Sequence, residues 1–272
     1  MNPIRIRAYV VAALFAAACA LAPIAHAKVD YTDIWWAAGG TESGWGVNFA
    51  QTGDFIFATF FIYGPGGTPV WYTAQLSRTS GETFSGPVYA IVGTWFGAPV
   101  FPPVPPSNVV PVGDATFAAS NSFRGTLRYR IDTVAVNKNV ERQTTVALAV
   151  DDLYIGGISG STSGTCPAGT PATFRNKMQF RVDQSASNSV RIEFTSADST
   201  NLGQFVCAMQ GNAAQYGKVL QVSSATYQCA GSPDYTAEIE SIRRLDDGIE
   251  AHWRANLGGG CVKRGRLAGV KQ

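Results

Sequence analysis

Imidazole is scarce in this chain. Of two histidines among 272 residues, His26 lies in the N-terminal apolar segment, which leaves His252 for acid–base or nucleophile-activating work. In "GIEAHWRAN" His252 alternates with Ile249, Ala251 and Trp253, so it shares a polar face with Glu250 and Arg254 and reads as a solvated surface residue. No G-x-S-x-G elbow occurs, and the four cysteines after the N-terminal segment are better used as bridges than as nucleophiles. No catalytic residue is therefore assigned. Carboxylate-dependent hydrolysis, the enzymatic alternative, needs two acids facing one bond. The first half offers Glu42, Asp54, Glu82 and Glu141, of which Asp54 and Glu82 sit in ordinary turns. Cysteine spacing lacks a CxxC pair, so zinc is not expected. The oxygen-rich runs "DQSASNS" and "SADSTNLG" miss the spacing of a calcium loop, and no phosphate cradle or dinucleotide fingerprint is present, so no cofactor is expected.

Aromatic residues are the richer resource. Glu42 to Leu76 reads "ESGWGVNFAQTGDFIFATFFIYGPGGTPVWYTAQL". Period-two alternation in 55–63 separates Phe55, Phe57, Phe61 and Tyr63 from Ile56, Ala58, Phe60 and Ile62. A strand apolar on both faces is expected to be covered on both, which makes most of these rings core. Those left to meet a ligand are Trp45, Tyr63, Trp71, Tyr72 and Trp95, with Glu42 and Arg142 as polar partners. Lys138 and Arg142 form a small basic pair whose ordinary role is to meet surface carboxylates such as Glu141.

These residues need a scaffold, and the pattern supplies an all-β one. "FRGTLRYRID", "KMQFRVD", "VRIEF" and "GIEAHWRAN" alternate as half-buried antiparallel strands, with turns at Gly53-Asp54, Gly64-Pro65-Gly66-Gly67, Ser80-Gly81 and Asp247-Gly248. No helix of ten residues is expected beyond the N-terminus. Short strands at this spacing predict two antiparallel barrel or sandwich-like units in tandem. The first spans 28–150. A Gly/Ser/Thr-rich linker covers 151–165, and a disulfide-stapled second unit covers 166–272. Val112-x-x-Ala115-Thr116-Phe117 has an echo in Val222-x-x-Ala225-Thr226-Tyr227. The proline-rich run at 98–111 reads as a rigid crossover loop, because proline removes ladder donors.

Residues 1–27 have the form of a signal peptide: Arg5 and Arg7, an apolar run, then Ala25-His26-Ala27. A lipoprotein anchored through Cys19 is the lesser alternative. The whole chain carries 21 Lys+Arg against 19 Asp+Glu; losing Arg5 and Arg7 makes the exported part neutral, with no basic excess for nucleic acid. No later run is apolar enough for a transmembrane helix, and the charged alternate faces disfavour an outer-membrane barrel. Cys166, Cys207, Cys229 and Cys261 imply two disulfides in an exported chain. Three pairings are possible; Cys207–Cys229, flanking a strand pair, is favoured, leaving Cys166–Cys261.

Glu42-Ser43-Gly44-Trp45-Gly46-Val47, Gln51, Gly53-Asp54, Phe57-Ala58-Thr59-Phe60-Phe61-x-Tyr63, Gly67, Pro69 and Trp71-Tyr72 together resemble an exported β-module found in many Gram-negative bacteria. Tyr89, Val112 to Phe117, Gly125, Tyr129, Lys138, Arg142 and Gln143 continue the likeness, which covers roughly 30–145. Thr133 departs from it, standing where a turn glycine is usual. The resemblance implies export and an all-β fold and adds no activity. The expectation is a non-enzymatic binding or interaction module of the periplasm or extracellular space, for a glycan or small apolar ligand. A structural envelope protein without a ligand is the other reading.

Overall fold

The computed structural model describes residues 29–186, 188–196 and 205–272. The export segment with Cys19, and parts of "DQSASNS" and "SADSTNLG", lie outside the described residues. Residues from Tyr31 to Gln272 form one compact unit. It is all-β, interrupted among the described residues only by three short 3-10 turns.

The first barrel closes eight strands: β1 Asp33–Ala37, β2 Gly46–Thr52, β3 Phe55–Tyr63, β4 Pro69–Ser80, β5 Thr83–Ile91, β6 Val109–Ala119, β7 Arg124–Ile131 and β8 Val134–Arg142. Each pairs antiparallel with the next, and β8 returns to β1 through Trp35 opposite Arg142 and Ala37 opposite Val140. The second barrel contains β9 Asp152–Ser163, β10 Thr173–Gln184, β11 Ser189–Ser196, β12 Phe205–Asn212, β13 Ala214–Tyr216, β14 Val219–Cys229, β15 Tyr235–Leu245, β16 Gly248–Asn256 and β17 Val262–Lys271. β17 pairs with β9, and β12 pairs with β14, so this sheet also closes; β13 continues the β12 direction along the other half of β14. Closure removes the free edges through which sheets aggregate.

The tandem all-β expectation holds, with local corrections. Residues 152–163, expected as linker, are strand β9 at the heart of the second sheet. Its glycines suit close packing: a Cβ on Gly160 would lie 2.4 Å from the Phe174 ring, so glycine here marks approach and not looseness. The connection is instead 143–151. The internal echo falls on β6 of the first barrel and β14 of the second. The proline-rich run does form the β5–β6 loop, ending in β6, where Pro111 sits beside a register shift opposite Tyr89. Despite Thr133, β7 and β8 join in a two-residue turn, because Asp132 takes the left-handed conformation at φ 51°.

Strand parity sorts the rings. Ile56, Ala58 and Phe60 of β3 are fully buried, whereas Phe55, Phe57, Phe61 and Tyr63 point outward and stay exposed. The expectation that both faces of β3 are covered is therefore wrong: nothing among the described residues lies over the outer wall there. The inward rings concentrate at one end, where Phe117 meets Tyr31, Trp35 and Phe49 with centroids 5.3, 5.0 and 4.8 Å away. Burying each such ring contributes about 1.5–3 kcal/mol.

That plugged end also meets the second barrel. The β13–β14 turn packs there: Tyr216 stacks on Phe123 at 4.4 Å and accepts a hydrogen bond from Arg124 Nη2 at 3.1 Å. Gly217, at φ 54°, lies so close to Asp33 and Arg142 that a Cβ would sit 2.4 Å from Asp33 Oδ2. Asp33 accepts from Arg142 Nη1 at 3.1 Å and from the Lys218 backbone N–H at 3.2 Å. Arg142 also donates to the carbonyls of Ser122 and Thr32 and is 2 % exposed. Truncating it strands a buried carboxylate, which typically costs about 3–5 kcal/mol. We expect Arg142→Met to lower stability by about that amount in chemical denaturation, while Arg130→Ala, which removes an exposed pair with Asp114, changes it by less than about 1 kcal/mol.

Candidate functional site

In an up-and-down barrel alternate connections gather at each end. The β1–β2, β3–β4, β5–β6 and β7–β8 connections surround the end of the first barrel remote from the second. Here the interior is not filled. A cavity of about 510 Å³ opens between Trp45, Tyr63, Gly64 and Pro65 at the rim and Ile62, Val70, Tyr72, Tyr129, Ile131 and Lys138 within. Phe60 packs against Tyr129 at 5.2 Å beneath it.

Each wall residue has a local cause. Ile62 and Val70 face each other across the β3–β4 ladder, two residues along from the Phe60–Tyr72 pair, so all four share the inward parity. Gly44, at φ 93°, lets the β1–β2 connection bend back until its missing Cβ would be 3.5 Å from the Tyr63 hydroxyl. Gly46 keeps the following strand tight against the Trp35 carbonyl. Between these glycines Trp45 is half-buried, with its indole Nε1–H donating to Glu42 Oε2 at 2.9 Å.

Lys138, 96 residues further on, forms an ion pair with the same carboxylate oxygen. Its Nζ also lies 5.4 Å from the Trp45 ring centroid. Lys138 holds the Glu42 carboxyl below the ordinary glutamate range, with the Trp45 hydrogen bond adding to the effect. Burial pushes the Tyr129 phenol up, and the Glu42 charge pushes it further. At neutral pH the mouth thus combines an ionised carboxylate, an ammonium and a neutral phenol with indole and phenol faces.

Of the residues expected to bind a ligand, Glu42, Trp45, Tyr63 and Tyr72 come together here. Trp71 does not: it stands on the outer wall opposite Phe61 and is 52 % exposed. Trp95 lies in the β5–β6 loop against Phe96, 68 % exposed and outside the cavity wall. Arg142 is the buried ion-pair residue of the opposite end, so the expected Lys138/Arg142 surface pair is two separate structures on one inward face. Sequence reasoning missed Lys138 and Tyr129 as partners of the mouth; inward parity on β7 and β8 was the available signal.

Each of the four candidate acids is held in an ion pair, Glu42 with Lys138. Asp54 and Glu82 share Arg78 at 2.6 and 2.9 Å, and Glu141 accepts from Arg124 Nε at 3.1 Å and the Gly39 N–H at 2.8 Å. His252 pairs with Glu250 at 2.9 Å on the outer face, as its alternation implied. A wider groove of about 840 Å³ crosses the outer wall of the second barrel near Arg191, Gln210, Ser224 and Tyr235, but its lining is mostly polar, with Tyr235 its one ring. No protein-family model matches this chain, and no curated protein matches it. The two bridges are Cys166–Cys261 and Cys207–Cys229, which imply an oxidising location. No described helix is long and apolar enough to cross a membrane.

Because Lys138 depresses the Glu42 pKa, the carboxylate stays ionised as pH falls through the ordinary glutamate range and is lost only below it. The Trp45 indole Nε1–H resonance should therefore hold its position down through that range and move only at lower pH. In Lys138→Met the movement should begin at higher pH. An unchanged titration in that variant would contradict the linkage.

Proposed function

We propose that this protein is a non-enzymatic binding module of the bacterial cell envelope, taking a glycan end or a similarly amphipathic small ligand at the mouth of its first barrel. The observation that carries the reading is the cavity in which Trp45, Tyr72 and Tyr129 border the Glu42–Lys138 pair. Its volume lies within the usual range for small-molecule sites, which are mostly apolar with a few polar groups fixing orientation. Aromatic faces give contact area at small entropic cost and match the apolar face of a sugar ring, while the carboxylate and ammonium address its hydroxyls. The two disulfides support a periplasmic or extracellular setting, as does the resemblance, several of whose motif residues build this rim.

A ligand-free structural role is the second reading. It is favoured by the exposed outer wall of Phe57, Phe61 and Trp71, which offers an interaction surface separate from the mouth.

A glycan array probed with the exported part of the chain, followed by calorimetry on the best hit, tests the proposal. Trp45→Ala should weaken that hit by about tenfold or more, equivalent to about 1.4 kcal/mol, with little change in Tm because the ring is at the rim. Trp71→Ala on the outer wall should leave affinity unchanged. Equal affinity in Trp45→Ala, or loss only in Trp71→Ala, would remove the mouth as the site.

A further inference from the structure

The second barrel has its own partly filled end, again the one remote from the joint. The β9–β10, β14–β15 and β16–β17 connections gather there, and Cys166–Cys261 ties two of them together. A cavity of about 200 Å³ enters the barrel between them. Its walls are largely apolar, with Ile158, Phe174, Met178, Phe194, Val206 and Leu257, while Thr162, Thr170 and Asn176 add neutral polar groups.

One position in this lining carries a charge. Along β17 residues 263, 265 and 267 face inward: Leu267 is fully buried and Gly265 admits the Trp253 indole, whose carbons would lie 2.5 Å from a Cβ there. The third is Lys263, which lines the cavity. Its Nζ is 4.7 Å from the Phe174 ring centroid, 5.6 Å from Tyr227 and 6.0 Å from Trp253. It donates one hydrogen bond, to the Tyr227 hydroxyl at 3.2 Å, and that hydroxyl donates to Cys207 Sγ at 3.3 Å. No carboxylate among the described residues pairs with it. Charged inward residues of the first barrel have carboxylate partners: Arg142 has Asp33, Lys138 has Glu42, and Arg78 has Asp54 and Glu82. Burial alone lowers the Lys263 pKa and pushes the Tyr227 phenol up to about 12.

A lysine in this position costs stability unless something repays its desolvation. Three rings and one hydroxyl do so partly. Among the described residues the other two of its three ammonium donors have no hydrogen-bond acceptor, which leaves them for a guest. We infer that the second barrel binds a small monocarboxylate with an apolar body, its carboxylate on Lys263 and its body among Phe174, Met178 and Leu257. The single cation favours a monoanion over a phosphate or a dicarboxylate. The size fits a single ring or a short chain, since an apolar cavity of about 150 Å³ accepts benzene. This site is independent of the first-barrel mouth.

Titration of the exported chain with benzoate and hexanoate, against benzyl alcohol and hexanol, tests it by calorimetry at neutral pH. The carboxylates should bind saturably and at least about tenfold more tightly than the alcohols, as expected for a charge-assisted contact in an apolar setting. Lys263→Met nearly keeps the side-chain length and removes the half-buried charge, so it should fold and should lose that preference. In the unsubstituted chain the Lys263 side-chain amine resonance should move on adding benzoate, and its titration should shift to higher pH; affinity should fall as pH rises through it. Trp45→Ala should change none of this. Absence of saturable carboxylate binding, a preference retained in Lys263→Met, or an amine resonance indifferent to benzoate would each overturn the inference.

Discussion

Pairing of β8 with β1, and of β17 with β9 together with β12 with β14, closes each sheet on itself, and the rest of the molecule follows from that closure. Once a strand has neighbours on both edges, its side chains can point only in or out. An eight-stranded barrel encloses little more than the volume of its own inward side chains. Whether a ring becomes core, wall or binding surface is then decided by one unit of register. Phe60 and Phe61 differ in nothing but that, and one is fully buried while the other is more than half exposed.

Filling is uneven along each barrel axis, and this gives the molecule its two candidate sites. In the first barrel the large inward rings collect around Phe117, at the end that meets the second barrel. That end needs a solid plug because the β13–β14 turn rests against it, with Gly217 admitting Asp33 and Arg142 at close range. Remote from the joint, inward positions carry smaller or polar residues, and space remains. The second barrel repeats this arrangement with different chemistry. Its bridges tether the connections around its free end, limiting the unfolded chain and holding that rim in place. In both barrels the cation that faces inward near the open end stacks on aromatic rings, a common way of keeping an ammonium at an apolar wall.

Much of the scaffold was legible in the residues. Alternation in "FRGTLRYRID" and "GIEAHWRAN" gave strands with the correct inward faces, and the outward position of His252 came with them. Of the three possible cysteine pairings, the one favoured because Cys207 and Cys229 flank a strand pair is the one formed, across β12 and β14. Three features were less legible for physical reasons. Glycine-rich 152–163 looked like a loop because small residues serve flexible connections and tightly packed strands equally well. The apolar outer face of β3 looked like a buried one, since periodicity reports two apolar faces and not what covers them. Arg142 looked like a surface cation because its partner Asp33 is 109 residues away, and only barrel closure brings them together. The Glu42–Lys138 pair was hidden in the same way. Trp45 and Tyr72 were accessible to sequence reasoning because glycine punctuation and the hairpin turn mark the rim.

Hydroxyl-radical footprinting of the six tryptophans measures this sorting directly. Trp35 and Trp253, at 0 and 1 % exposure, should resist oxidation in the native state, and Trp71 and Trp95 should oxidise rapidly. Trp45 should react at an intermediate rate that falls when a mouth ligand is bound. Rapid oxidation of Trp35, or protection of Trp71 equal to that of Trp35, would contradict the division of rings between a filled interior, an open mouth and a bare outer wall.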